Sequence, residues 1–436
     1  MKGQRFETAH LECWDKGKEM RREHFREIWT AKERGVPLVI GLGEMFQPML
    51  CALGEYADMG YGTKLPFIMR HRDLGTKCLE AWETRGFSRD CCSVMRADLG
   101  TMYAEVMHRA PDGKLIRPDL CIEMSFCPNM GRTGRLVADY FNIPYFYIDV
   151  PPDDFNMETA YRYLMDQLED CLEWMGRVTG REINDELFIE GVRNEWQSRK
   201  LWGQVQELQK ATPAPLDSRM LQSLLVPGTM VKQKKECVEF YRMLLDEVKD
   251  RVDRGISALG VEECRLLYEW MVPWYYLRIH RYPLRYGAVF IGGTIPAAWA
   301  VWDMAGDGTW TVAQTPEERG LPLRTRRDAL RAMAEIYLEK TPGVHWYRTS
   351  RGDKAENDVM GRFRDWHAHG VVFHQDQGCR AAQVGQNEIR MALQKAGIPV
   401  MAFEASQCDF RVFTEAEVLD RFDAFLEGLG LTPIES

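Results

Sequence analysis

Three cysteine-bearing stretches carry the residues most able to do chemistry: "RDCCSVMRADLG" (89–100), "SFCPNMGRTG" (125–134) and "QGCRAAQVGQ" (377–386). A thiolate serves either as a nucleophile or as a metal ligand. In the second stretch Cys127 precedes a Gly-Arg-Thr-Gly run, the arrangement of a loop whose backbone N–H groups encircle a phosphate while the thiolate attacks it. The spacing opposes that use. Only Pro128, Asn129, Met130 and Gly131 separate Cys127 from Arg132, one residue too few. One of the four is proline, which has no N–H to donate. A Trp-Pro-Asp general-acid loop is absent as well. None of the 12 cysteines forms a CxxC pair, so zinc-ribbon and ferredoxin spacings are missing. A metal site must therefore gather ligands from distant segments, and most of the other cysteines read as small buried hydrophobes.

The elements that would position these thiols alternate in type. The first 35 residues predict an amphipathic helix around Met20, Phe25 and Ile28. Strands are predicted in "GVPLVIGLGEMF" (35–46), "DLCIEMSF" (119–126) and "IPYFYIDVPP" (143–152), and helices at 46–60 and 72–86. From about 155 to 258 long periodic runs are helical, with 209–229 read as a loop or hinge because it holds three prolines. Strand character returns at 264–274, 286–294, 369–375 and 398–406. Between these, 302–365 reads as helical, with loops near 305–313 and 341–358.

An internal echo organises the pattern. After "LCIEMSF" and after "GVVFHQ" a cysteine follows within a few residues, and a helix then leads to an Ile-Pro that opens the next strand. Cys127 lies 16 residues before Ile143, and Cys379 lies 19 before Ile398. The fold class predicted is α/β, with two related domains of small parallel sheets flanked by helices, plus N-terminal and inter-domain helical segments. The boundaries read as 1–34 (N-terminal helix), 35–154 (first α/β domain), 155–260 (helical connection) and 261–436 (second α/β domain). Ligands of such sheets bind beyond the carboxyl ends of the strands. Cys127 and Cys379 would sit there, each near a helix N-terminus that favours a thiolate.

The 436 residues carry a net charge of -9 with 45% hydrophobic and 28% charged residues, an ordinary globular composition. The negative balance opposes nucleic-acid binding. No apolar run reaches about 18 residues and the N-terminus lacks an apolar leader core, so neither a membrane span nor a signal peptide is expected. The reading is a cytoplasmic protein, in which a disulfide framework is not expected.

Taken together, the cysteine segments resemble the 2-hydroxyacyl-CoA dehydratase and benzoyl-CoA reductase superfamily over nearly the whole chain. "RDCCSVMRADLG" is similar to an Asp-x-Cys-Ser/Thr-x-x-Lys/Arg-Ala-Asp-x-Gly segment of the larger reductase subunits, which puts Cys92 rather than Cys91 at the ligand position. "SFCPNMGR" supplies Cys127, "QGCRAAQVGQ" supplies Cys379, and "GIPVMAFEASQCDFR" resembles the family's acidic C-terminal segment. The resemblance implies that Cys92, Cys127 and Cys379 hold one [4Fe–4S] cluster, with one iron left without a cysteine. It also implies a related second cluster-binding subunit, an ATP-hydrolysing iron–sulfur activator and ferredoxin as upstream donor. "EWMVPW" (269–274) and "YGAVFIGGT" (286–294) favour the reductase branch. The expected function is thus an ATP-dependent, oxygen-sensitive oxidoreductase of anaerobic aromatic degradation. It would dearomatise an aryl-CoA thioester to a cyclohexadiene-carbonyl-CoA. The alternative is a 2-hydroxyacyl-CoA dehydratase acting through a ketyl radical. One departure is "FQPMLCALG" (46–54), where Gln47 and Pro48 stand in place of the family's acids and Glu44 is the nearest substitute.

Other candidates compete with plainer roles. His374 and His280 could donate protons, or be hydrogen-bonded core residues. "RTRRDALR" (324–331) and "HRYPLR" (280–285) could meet coenzyme A phosphates, or be solvated faces. Trp270, Trp274, Tyr275 and Tyr276 could wall an aryl pocket, or be core. Cys408 could be an extra ligand, or a spectator.

Overall fold

The computed structural model describes residues 5–41, 45–60, 69, 71–106, 111, 116–125, 127–151, 156–305, 308–341, 352–379, 383 and 385–434. The chain opens with α1 (Trp14–Thr30), β1 (Leu38–Gly41), α2 (Pro48–Cys51) and β2 (Ala57–Met59). Next come α3 (Arg72–Thr84), α4 (Ser93–Tyr103), β3 (Leu120–Met124), α5 (Pro128–Phe141) and β4 (Tyr145–Ile148). A helical stretch follows: α6 (Met157–Thr179), α7 (Asp185–Glu207), α8 (Ser218–Leu224), α9 (Val226–Val231) and α10 (Lys235–Asp253). The second half runs β5 (Cys264–Glu269), β6 (Ala288–Gly292), α11 (Thr294–Ala298), β7 (Trp302–Met304), β8 (Trp310–Val312) and α12 (Arg326–Glu335). It ends with α13 (Gly352–Asp365), β9 (Gly370–Asp376), α14 (Gln386–Lys395), β10 (Val400–Ala405) and α15 (Glu415–Gly428).

Two four-stranded sheets result, ordered β2-β1-β3-β4 and β10-β9-β5-β6, and every neighbouring pair in them is parallel. Read from opposite edges the two orders are the same: β5, β6, β9 and β10 take the places of β1, β2, β3 and β4. The echo in the sequence is thus a repeated topology, and the fold class is the predicted one. β1, β3, β5 and β6 are buried throughout, as parallel strands covered on both faces should be. At Gly41 (φ +112°) a Cβ would lie 1.9 Å from the Ile122 carbonyl oxygen, so β1 leaves the sheet at a place only glycine can occupy.

The helices between the sheets start on side-chain caps. Asn156 Oδ1 accepts from Thr159 N at 3.3 Å, and Asn184 Oδ1 accepts from Leu187 N at 3.0 Å. The stripe Leu164, Leu168, Cys171, Leu172 and Met175 of α6 is buried against the first sheet's core, each large side chain contributing about 1.5–3 kcal/mol.

Three local expectations are corrected. The segment 46–60 is a short helix followed by an edge strand, because Ala57–Met59 pair with β1. The proline-rich 209–229 contains α8 and α9, α8 being started by Asp217, whose carboxylate accepts from Met220 N at 2.7 Å. The stretch near 305–313 belongs to an antiparallel hairpin, β7 with β8, whose Trp302 and Trp310 rings lie 5.5 Å apart. The predicted loop at 341–358 and Glu44 fall partly or wholly outside the described residues. Among the described residues no helix is long and apolar enough to cross a membrane.

Candidate functional site

In both sheets the connections reverse direction beside the second strand in the order, between β1 and β3 and between β5 and β9. Such switch points open a crevice at the carboxyl ends of the strands. Cys127 leaves β3 and becomes the extended residue capping α5 (φ −141°, ψ 162°). Cys379 leaves β9 through the turn Gln377-Gly378, its N–H donating to Asp376 O at 3.2 Å. The two echo cysteines therefore occupy equivalent places.

Cys92 comes from a third element, as the residue before α4. It shares one small apolar cluster with Met95, Met130, Val94 and Cys127. The second unit reaches the same place through Gly378, held at φ +92°, where a Cβ would stand 3.0 Å from the Cys91 carbonyl oxygen. The Gln377–Cys379 turn thus lies directly on the chain entering Cys92. Cys91 itself faces the apolar cluster under β1 and α5, partly buried.

Burial pushes the Cys92 thiol up to about 12, with the nearby Asp376 adding to the rise, while the Met95 and Val94 N–H groups oppose it. Burial also raises Cys127, against N–H donors from Asn129 and Met130. Both sulfurs therefore rest among backbone donors that favour a thiolate once a cation is present to offset desolvation.

Two links tie this corner to the second unit. Arg96, one turn into α4, makes a buried ion pair with Asp409 and donates to Arg89 O at 2.6 Å. Cys408 N donates to Ser93 Oγ at 3.1 Å. Burial raises the Asp409 carboxyl, but Arg411 and Arg96 outweigh it and hold it below the usual carboxylate range. Asp376, at the end of β9, is raised to about 7 by burial, with Gln407 N donating to it at 3.1 Å. Asp376, Arg96 and Asp409 carried no signal in the sequence beyond their closeness to cysteine motifs. Arg96 and Asp409 are 313 positions apart.

The remaining candidates resolve into scaffold. His374 stacks on Phe403 at 5.1 Å with Nδ1 2.6 Å from Met271 O, and burial lowers it to about 4. His280 is buried against Tyr268 and lowered by burial to about 3. Arg326 and Arg331 pair with Asp185 and Glu158 on the surface, and Arg281 pairs with Asp217. Arg132 is exposed on α5, which removes the phosphate clamp. Trp270 and Tyr276 are buried in the core around the second sheet, and Trp274 and Tyr275 pack against it. Gln47 is buried, donating to Asp58 at 2.8 Å, and pairs with Lys232.

Among the described residues no three His, Cys, Asp or Glu side chains are grouped to hold one metal ion. A single ion needs its donors within about 2.3 Å. A four-iron cluster is gripped at its corners, so its thiolates stand farther apart than the ligands of one ion. Soft sulfur donors fit such a cluster: Cys92 and Cys127 share one apolar cluster with N–H groups around them, and Cys379 lies on the turn that meets the Cys91 carbonyl.

The fold is a pair of parallel α/β units with a cysteine after the strand at each switch point and Cys92 capping a helix that meets the second unit. The chain belongs to the family described as 2-hydroxyglutaryl-CoA dehydratase, D-component, whose model matches residues 57–429. It is similar to the (R)-phenyllactyl-CoA dehydratase alpha subunit of Clostridium sporogenes, 24% identical over 92% of this chain and 90% of that one. The (R)-2-hydroxyisocaproyl-CoA dehydratase alpha subunit of Clostridioides difficile is 23% identical over 93% of each. A benzoyl-CoA reductase subunit of Thauera aromatica is 21% identical over 79% of this chain and 78% of its own.

These likenesses overturn the expected reductase and oxidoreductase assignment, since the dehydratase subunits match more of the chain at higher identity. The physical reason is visible in the fold. "EWMVPW" supplies the last residue of β5 and the turn after it, and "YGAVFIGGT" supplies β6, so Trp270 and the apolar run of β6 belong to the core around the second sheet and Trp274 packs against it. Such segments serve either chemistry and discriminate neither.

Proposed function

We propose that the chain is a subunit of a 2-hydroxyacyl-CoA dehydratase, a lyase that removes water from a 2-hydroxyacyl-CoA thioester. The observation that carries this is the alignment with dehydratase alpha subunits across nine-tenths of both chains. Cys92, Cys127 and Cys379 would hold a [4Fe–4S] cluster. When bound, it supplies low-potential electron transfer next to an iron that no cysteine blocks. Around it, N–H groups of Val94, Met95, Asn129 and Met130 favour the thiolates, and Met95 and Met130 keep water from them. The Arg96–Asp409 pair fixes α4, and with it Cys92, against the second unit.

Residues 35–154 and 261–436 are read as the two α/β domains, joined by 155–260. The alpha-subunit names of the relatives support a second, related subunit. An ATP-hydrolysing iron–sulfur activator fed by ferredoxin, in an anaerobic cytoplasm, completes the reading. The test is iron and acid-labile sulfide analysis after anaerobic purification, with electron paramagnetic resonance of the reduced protein. About four irons per chain are expected, falling sharply in Cys92→Ser, Cys127→Ser and Cys379→Ser. Iron content unchanged in all three variants would reject the ligand set.

A further inference from the structure

The two glycines of "GRTG" have a packing role that leads to a hydroxyl in the crevice. Tyr145 and Tyr147 lie on the same face of β4, two residues apart, and both meet α5. Tyr145 Oη donates to Gly131 O at 2.9 Å, and its ring, together with the Glu123 side chain, fills the space a Cβ on Gly134 would need. A Cβ on Gly131 would stand 2.5 Å from Tyr147 Cε2 and 3.1 Å from its hydroxyl oxygen. The Tyr147 ring is therefore laid flat on the first turn of the helix that Cys127 caps.

Tyr147 pairs in register with Glu123 of β3, so the phenol lies near the strand end that leads through Ser125 to Cys127. Ser125 Oγ accepts from Val150 N at 2.6 Å and its hydroxyl bonds the Tyr147 phenol oxygen, which leaves the phenol's own proton to donate, while the Asn129 and Met130 N–H groups face the Cys127 sulfur. Tyr147 nonetheless remains 41% exposed. A ring seated against the helix backbone near the carboxyl end of the sheet, its oxygen held by Ser125 and its proton free to donate, is a preorganised donor.

Resting on the dehydratase reading above, we propose that the Tyr147 hydroxyl donates a hydrogen bond to the thioester carbonyl oxygen of the bound 2-hydroxyacyl-CoA. That oxygen carries more negative charge in the transition state than in the ground state, so the bond strengthens as the reaction proceeds. No covalent bond to Tyr147 forms and its proton stays on the phenol.

The test uses the anaerobic holoenzyme complex, with Tyr147→Phe to remove the oxygen and keep the ring on Gly131. The probe is a saturated acyl-CoA thioester labelled with carbon-13 at the carbonyl, followed by infrared difference spectroscopy. In the unsubstituted enzyme the carbonyl stretch moves to lower frequency on binding. In Tyr147→Phe most of that shift is lost, with iron content and resonance spectrum unchanged. Turnover falls about 10²–10³-fold in kcat with little change in KM. Gly131→Ala, which displaces the ring, reproduces the loss of the shift. An identical carbonyl shift in Tyr147→Phe overturns the proposal, as does loss of its iron, which would make the phenol a support for the cluster. If neither enzyme binds the thioester, the dehydratase reading itself fails and Tyr147 loses its role with it.

Discussion

The ion pair between Arg96 and Asp409 should decide whether Cys92 stays in the crevice. Their side chains are 4% and 5% exposed, so each charge has given up nearly all its water. In Asp409→Ala the Arg96 guanidinium keeps the Arg89 carbonyl at 2.6 Å but loses its carboxylate partner. Removing one partner of such a pair costs about 3–5 kcal/mol, because the other charge stays buried uncompensated. Arg411 also bonds Asp409 at 2.8 Å, but it is more exposed and keeps Glu83 at 2.5 Å, so losing Asp409 costs it less than it costs Arg96. At about 1.4 kcal/mol per factor of ten, the opened population should rise at least 10²-fold.

Urea unfolding of the unsubstituted protein, Asp409→Ala, Arg96→Met and the double variant Arg96→Met/Asp409→Ala reads this directly. The double variant should be less destabilised than the sum of the single ones by about 2 kcal/mol or more. Asp409 is also held below the usual carboxylate range. A depressed acid contributes stability above its unfolded pKa and loses it as pH falls through the folded value. The gap between the unsubstituted protein and Asp409→Ala should therefore close below about pH 4. A loss under about 0.5 kcal/mol in Asp409→Ala, or strict additivity in the double variant, would refute the reasoning.

Asp58 behaves in the opposite sense: burial raises it from 3.8 to about 6, with Gln47 and Lys232 only partly opposing. A raised acid contributes stability below its unfolded pKa and loses it as pH climbs through the folded value. Asp58→Asn should thus gain on the unsubstituted protein by on the order of 2–3 kcal/mol between pH 4 and 7 in thermal or urea titrations; a flat difference would contradict it. Cys408 is buried, and if it serves as a spectator rather than a ligand, Cys408→Ser should keep its iron while losing about 1–3 kcal/mol for the buried hydroxyl, measured by metal analysis and urea unfolding; loss of iron would make it a ligand. Arg132→Ala should change stability by less than about 0.5 kcal/mol and leave phosphate without effect on the protein, as expected of an exposed helix residue.

What can be read from the sequence is whatever local pattern determines. The apolar runs of β1, β3, β5 and β9 and the cysteine after each of two of them announce the paired sheets, because fully buried parallel strands have few alternatives. β2 reads as helix because "ADM" has no strand propensity of its own; it is a strand only by pairing with β1. The β7–β8 hairpin is hidden for a similar reason, its two tryptophans closing on one another across a short polar turn. The Arg96–Asp409 pair and the seat of Tyr147 on Gly131 depend on chain segments that meet only in the folded state. The choice between reductase and dehydratase rests, in the sequence, on strands that the fold uses as core, which no local reading of apolar residues could settle.

The most direct test of the central claim is a product assay on the reduced complex of this chain with the proposed partner subunit and activator. Given 2-hydroxyacyl-CoA thioesters in parallel with aryl-CoA thioesters, it should convert the former to 2-enoyl-CoA with loss of water and leave the aryl ring intact. Reduction of the aryl ring without dehydration of any hydroxyacyl thioester would contradict the account.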